Sequence, residues 1–361
     1  MTEKRFHNFL FSAPKYILLP AVGIDISDRN IKYAELIPVG QGYRLGKYGI
    51  VPIPPGTIEN GKIINGTKLQ ELLTTLAKEN NFSFVRAVLP EAQTYFFQIT
   101  IPDAGTEEAL RNTIEITLDE HAPIPVLEAV FDFKIEERTD TEVTVSVVVA
   151  PRAIVESYTE IFTNAGLTLL SLEQEDQALA RSIITNGDEK TVLVVDFGEV
   201  KTGIAVIRGK RVYFTATVNM GGQMLTKTLV SHFNISVEEA EKMKRTYGLR
   251  RNSPDQDFFT LLINNISVLR DEINKHFIYW HTHPDEKGNP RPHIEEVILI
   301  GGDSNLVGLP DYLETSLHVK TTVANVWSNI ILPEHGIPEI PLGESLAYAT
   351  AIGLSLNDWD I

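Results

Sequence analysis

Two stretches of this chain share one layout. Val192 to Val206 reads VLVVDFGEVKTGIAV, an apolar strand ending on an acid, a short turn holding a glycine, and a second apolar strand. Val22 to Lys32, VGIDISDRNIK, repeats it with Asp25 in the place of Asp196, 196 − 25 = 171 residues earlier. Such a unit, used twice in 361 residues, predicts a duplicated two-lobed α/β molecule with something held between the lobes.

Composition narrows the partners. With 43% apolar residues the chain can bury a sizeable core and more than one domain. Its 48 acidic against 32 basic residues give a net charge of −16, and no Lys/Arg stripe with interleaved aromatics stands out, so no nucleic-acid partner is expected. The absence of cysteine excludes disulfides, thiolate catalysis and cysteine-ligated metals, and fits a reducing compartment. Near the N-terminus, Pro14 and Lys15 split the apolar residues into pieces too short for a signal peptide. No run reaches the roughly 18 apolar residues of a membrane span, and a frayed terminus is expected, with a short amphipathic arm as the alternative.

Taken in order, Ala21 to Val51 reads as three strands, followed by a helix opened by a capping box at Thr67 and Gln70 and ending near Glu79. A strand at Phe84 to Leu89 precedes a segment with its own rhythm: a strand at Thr94 to Ile101, a helix entered through Thr106, strands at Val130 to Ile135 and Val143 to Val149, and a helix from Pro151 to near Gly166. This predicts an α+β subdomain inserted in the first lobe. Beyond it come a strand at Leu167 to Leu172, a helix through Ala178, a hairpin around Gly209, a helix opened by Gly221 and Gly222, a Ser236/Glu239 capping box and a long helix from about Pro254 to Tyr279. A buried strand at Val297 to Ile300 and a last helix at about Glu344 to Leu356 complete the reading. The expected division is 17–83, 84–166 (the insert) and 167–190 for the first lobe; 191–230, 231–292 (helical) and 293–343 for the second; and 344–361 for a helix returning to the first lobe.

Each candidate motif has a plain structural alternative. Backbone N–H groups in the two loops can turn toward an anion, and Asp25 and Asp196 suit a hydrated Mg²⁺, though each also reads as an ordinary strand-end acid. Ile298 to Asn305 delivers Gly301 and Gly302 at a helix entrance, either to admit an adenosine or as a tight turn. Glu241 and Lys244 lie three apart on one helix face, able to bracket a ribose or to form a solvated ion pair. Histidines 276, 281, 283 and 293 lack fixed helical spacing and read as solvent-facing rather than as a metal cluster. No serine, histidine and acid set stands out as nucleophilic.

The four elements in this order resemble the actin-like nucleotide-binding superfamily, and within it the FtsA branch and the PilM family of type IV pilus assembly proteins. The stretches VGIDI, LPEAQTYFFQITIP, HAPIP, VVVAPRAIVESYTEIFTNAGL, NMGGQMLTKTL, AEKMK, IGGDSNLVGL and ESLAYATAIGLSL carry that resemblance. It implies a first phosphate loop with Asp25, Ser27, Asn30 and Lys32, and a second with Asp196, Gly198 and Thr202. It further implies Gly221 and Gly222 near the phosphates, Glu241 and Lys244 at the ribose and base, and Gly301, Gly302 and Asn305 under an adenosine. Mg²⁺ would be held through water by Asp25 and Asp196. Asp28 and Glu199 depart from the family pattern, and an extra carboxylate facing phosphate would weaken ATP binding, so weak or lost binding and negligible turnover are expected.

The resemblance also implies a cytoplasmic scaffold, peripheral to the inner membrane, that binds the cytoplasmic N-terminal tail of a PilN-like protein. The groove would lie between the first lobe and the insert, with Tyr95, Phe96 and Phe97 as partner-binding candidates. Pilus motor ATPases and further copies of the chain are additional candidate partners. Two alternatives stand beside it. A small-molecule kinase or ATPase of the superfamily would need a base beside the acceptor, and none is assignable. An FtsA-like division protein would need a C-terminal amphipathic anchor, which is not expected in a chain stopping at Asp358 to Ile361.

Overall fold

The computed structural model describes residues 21–40, 42–250, 256–285, 287–330 and 338–356. Strand β1 (Val22–Ile26) is buried along its whole length because it is central in its sheet. It pairs antiparallel with β2 (Asn30–Val39), which carries β3 (Gly42–Pro52) on its far side, and parallel with β6 (Phe84–Val88). With β10 (Thr168–Glu173) the order is β10-β6-β1-β2-β3.

A second sheet repeats this strand for strand. Its members are β11 (Thr191–Phe197), β12 (Thr202–Arg208), β13 (Arg211–Val218), β14 (Glu296–Ile300) and β15 (Thr321–Val323). The order is β13-β12-β11-β14-β15, with β12 and β13 antiparallel and β14 and β15 parallel, as their counterparts are in the first sheet. The repeated loop is thus one corner of a duplicated five-stranded sheet.

Between β3 and β6 lies a small hairpin, β4 (Ile58–Glu59) and β5 (Lys62–Ile63), whose turn places Asn60 and Gly61 at φ of 50° and 76°. Helix α1 (Gly66–Asn80) follows, but its N-cap is Asn65, whose side chain accepts the Lys68 N–H at 3.0 Å; the expected Thr67/Gln70 box lies inside the helix. The chain leaves α1 through Asn81 in the left-handed region.

The insert is a three-stranded antiparallel sheet in order β7-β9-β8, formed by β7 (Tyr95–Pro102), β8 (Ala129–Arg138) and β9 (Glu142–Pro151). Helix α2 (Glu107–His121), capped by Thr106, supplies Leu110, Ile114 and Leu118 to a separate core with Val143, Val145 and Val147. This self-contained unit is narrower than the expected span of 84–166. Phe84–Val88 lies between β1 and β10, and α3 (Arg152–Asn164) packs through Tyr158 and Phe162 into the first-lobe core with Leu69 and Leu73.

The lobes share a third core. Helix α4 (Glu175–Ile183) and the terminal helix are buried among residues of both sheets, including Ala34, Leu36, Val194 and Ile207. Small residues allow this close approach: Gly23 meets the Ala351 backbone, and Gly353 meets that of Ala178. On the second lobe, α5 (Gly222–Phe233), α6 (Val237–Tyr247), α7 (Gln256–Thr282) and α8 (Leu309–Leu317) surround a core with Phe258 and Trp280. The Ser236/Glu239 capping box opens α6. The last helix is broken into α9 (Leu342–Ser345), a 3₁₀ turn and α10 (Ala349–Ser355). Among the described residues, no helix is long and apolar enough to cross a membrane.

The insert also reaches the second lobe. The Gln98 side chain donates to Val212 O at 3.3 Å and to Ser146 Oγ at 3.0 Å, and Ser146 Oγ donates to Glu136 Oε1 at 2.9 Å. Arg211 completes the link, pairing with the Glu136 carboxylate at 3.2 Å and donating to its backbone carbonyl. One face of the insert sheet therefore covers its own core and the other meets the β12–β13 hairpin.

Candidate interlobe nucleotide site

The two loops at the ends of β1 and β11 bring Asp25 and Asp196 to one cleft. Asp25 is 6% exposed and pairs with Lys32 Nζ at 3.5 Å. Burial pushes the Lys32 amine down, yet the Asp25, Asp196 and Glu175 carboxylates outweigh it and leave the amine raised. Burial raises Asp196 to about 6, with Lys32 opposing and Asp25 and Glu91 adding to the rise. Residues from both lobes thus share one electrostatic environment.

Three further acids complete it, and sequence reasoning missed them as functional. Glu91, in the turn before β7, accepts from Thr217 of β13 across the cleft, and burial leaves its carboxyl raised. Glu175 and Asp176 open α4, where the helix N-terminus favours negative charge; burial first, then neighbouring carboxylates, raises both well above the usual range. The usable signal was two consecutive acids at a helix start directly after a strand. Against five carboxylates stand Lys32 and Lys201, and this excess of negative charge suits an anion only when it arrives with a divalent cation.

The second loop leaves two backbone donors unused. The Glu199 and Val200 N–H groups make no hydrogen bond among the described residues, while Gly198 N–H is held by Asp196 O and Lys201 O. Gly198 O and Glu199 O accept the N–H groups of Gly222 and Gln223, at 3.0 and 2.8 Å, seating the start of α5 on this loop. Gly301, at φ 91°, leaves space only for Asp196 Oδ1 and Phe197 O, so a Cβ there would strike both. Gln174 Oε1, next to Glu175, is buried without a hydrogen-bond partner. No three His, Asp or Glu side chains converge on a metal position among the described residues. Asp25 and Asp196 are placed where a hydrated divalent cation could be held through its water, and no closer set of ligands is offered among the described residues.

Several sequence-chosen residues do other work. Ser27 Oγ accepts the N–H groups of Arg29 and Asn30 and donates to Asn30 O, closing the first turn. Thr202 is fully buried, its hydroxyl donating to Met220 O at 2.7 Å. Asn305 donates to Gly302 O and Gly343 O, tying the glycine turn to α9. The expected weakening of ATP binding by Asp28 does not follow from its position. The Asp28 carboxylate accepts Asn60 N–H at 2.8 Å and Gly61 N–H at 2.9 Å, bracing the β4–β5 turn instead of facing phosphate unpaired. Glu199 lies at the exposed loop tip.

Glu241 and Lys244 form no solvated pair. The Lys244 side chain is 4% exposed and its amine donates to Gly222 O (3.1 Å), Thr226 Oγ1 (2.9 Å), Glu241 Oε1 (3.0 Å) and Asp303 Oδ1 (2.9 Å). Burial alone would raise Glu241, but its bonds to Thr226 and Lys244 prevail and lower it. Burial leaves Asp303 raised despite Lys244. Sequence reading gave Asp303 no role because the carboxylate's partner lies 59 residues away.

The aromatic run on β7 splits between two cores. Tyr95 and Phe97 pack against the insert core, Phe97 stacking on His121 at 4.5 Å, while Phe96 packs against the interlobe core; all three stay half-buried. Among the histidines, His281 has both ring nitrogens engaged, Nδ1 with Phe277 O and Nε2 with the Ile294 N–H.

Comparison with known proteins agrees with this fold. The family described as Type IV pilus assembly protein PilM matches residues 23–359. A chain of the PilM-PilN type IV pilus biogenesis complex superposes with a TM-score of 0.76 at 22% identity, covering 93% of this chain and 98% of that one. MreB5 of Spiroplasma citri bound to ADP shares the fold with a TM-score of 0.53 at 13% identity, over 92% and 94% of the two chains. The cell division protein FtsA of Enterococcus hirae is 31% identical over 112 residues, 30% of this chain and 25% of FtsA. The match therefore spans about a quarter of the length of that curated relative. The fold is the two-lobed actin-like one, and the chain belongs to the PilM family of type IV pilus assembly proteins.

Proposed function

From that membership we propose that the chain is an actin-like scaffold of a type IV pilus or related assembly machine, docking the cytoplasmic N-terminal tail of a PilN-like inner-membrane protein. The observation that carries this reading is the likeness, over nearly the whole chain, to a chain of a PilM-PilN complex. The seam between the insert and the first lobe is the proposed docking strip, with the half-exposed rings of Tyr95, Phe96 and Phe97 as contacts. Pilus motor ATPases and further copies of the chain are secondary partners. In this role the chain would be cytoplasmic and reach the membrane only through its partner.

Nucleotide in the cleft is the regulatory ligand of this reading. The N–H groups of Glu199 and Val200 would hold phosphate, as would the first loop from Asp25 through Ser27, Asn30 and Lys32, with Asp196, Gly198 and Thr202 shaping the second. Asp25 and Asp196 would meet a hydrated Mg²⁺, which supplies charge neutralisation when bound. Gly221 and Gly222 would flank the phosphates, and Glu241, Lys244, Gly301, Gly302 and Asn305 the nucleoside. MreB5, which shares the fold, was solved bound to ADP. Slow or no turnover is expected, since the Ser27 and Thr202 hydroxyls are committed to the backbone.

Membrane fractionation of cells tests the scaffold. The chain should pellet with membranes when the PilN-like protein is intact and stay in the supernatant when only its N-terminal tail is deleted. Equal pelleting in both strains would refute the tail as the docking element.

A further inference from the structure

We propose that Asp303 is an internal competitor of the nucleotide, its carboxylate seated on Gly222 at the start of α5 and paired with Lys244 so that an incoming polyphosphate meets negative charge. This rests on the nucleotide-binding reading above and specifies how that site is restrained.

The placement is direct. Gly222 N–H is bonded to Gly198 O, so the start of α5 lies against the second loop, and a Cβ on Gly222 would fall inside the Asp303 carboxylate. A side chain at position 222 would have to displace the Asp303 carboxylate. Two residues before Asp303, Gly301 abuts the Asp196 carboxylate. The Asp303 carboxylate thus borders the start of α5, which is bonded to the loop carrying the unbonded Glu199 and Val200 N–H groups.

Charge and hydrogen bonding point the same way. Lys244 is shared by Glu241 and Asp303, so the directly bonded trio carries 1 − 2 = −1, with Arg245 acting on both carboxylates from farther away without bonding either. A carboxylate at a helix start also takes up the partial positive charge that a phosphate would otherwise use. An ammonium has three N–H groups, whereas Lys244 lies within reach of four acceptors. Without Asp303, three acceptors remain, Gly222 O, Thr226 Oγ1 and Glu241 Oε1, together with one balancing charge.

Calorimetric titration of the full chain with Mg-ATP, before and after Asp303→Asn, tests this, with Asp303→Ser as a second variant should the first fail to fold. Removing one like charge near the ligand predicts affinity roughly tenfold tighter or more, and thermal unfolding close to that of the parent. Affinity unchanged within about twofold, or weaker, in a folded variant overturns the proposal. If parent and variant bind equally, the competitor role alone falls. If neither binds Mg-ATP, the nucleotide reading falls with it.

Discussion

At the scale of single residues, position decides what a charge does. Asp28 looked from the sequence like a carboxylate opposing phosphate, yet it holds two backbone N–H groups of the Asn60–Gly61 turn. Asp28→Asn should therefore cost about 1–3 kcal/mol of stability by weakening charge-assisted bonds, and leave Mg-ATP affinity nearly unchanged; urea unfolding with a parallel titration reads both. Asp196 behaves differently. Its folded pKa is raised to about 6, so between its ordinary value near 3.8 and 6 the folded chain binds more protons than the unfolded one. Stability then falls as pH rises through that window, and it is regained on acidification. Nucleotide-free protein should gain on the order of 1 kcal/mol from this group between pH 7.5 and 5.5, and Asp196→Asn should flatten that slope. A pH series of denaturant midpoints would show it, and a slope unaffected by the substitution would exclude Asp196 as its source.

At the scale of elements, local chemistry was largely legible and long-range pairing was not. Thr106, Ser236 and Glu239 act as the caps their spacing announced, because capping uses neighbours within three residues. The start of α1 was misplaced since Asn65 competes with Thr67 for the same role, and the side-chain bond to Lys68 N–H decides it. Strand Phe84–Val88 was read with the insert because its partners, β1 and β10, lie about 60 and 80 residues away. The same distance problem hid Glu91 and Asp303, whose partners Thr217 and Lys244 come from other elements. The contact between β13 and the insert is the element-scale device open to test. Arg211→Ala and Glu136→Gln, alone and combined, should show a coupling of roughly 0.5–1 kcal/mol, since the Arg211 side chain is half exposed, with faster amide exchange in β8 and β9. Additive effects would mean that the pair does not join insert to second lobe.

At the scale of the whole molecule, the duplicated sheet explains why two acids 171 residues apart share one cleft: each ends the central strand of its own sheet. The buried core made by α4 and α10 joins the sheets, while Glu91, Gln98 and Glu136 reach Thr217, Val212 and Arg211 of the second lobe. A ligand that changes the angle between the lobes must then shift or strain the insert as well, which is how a nucleotide could reach a partner bound along it. The scaffold role itself was legible only through a resemblance, since no composition or spacing names a protein partner. The most direct test is a fluorescence anisotropy titration of the purified chain with a labelled peptide of the PilN-like protein's cytoplasmic N-terminal tail, without nucleotide and with Mg-ATP. Saturable one-to-one binding that weakens in Phe97→Ala is the predicted result, and no binding in either nucleotide state would contradict it.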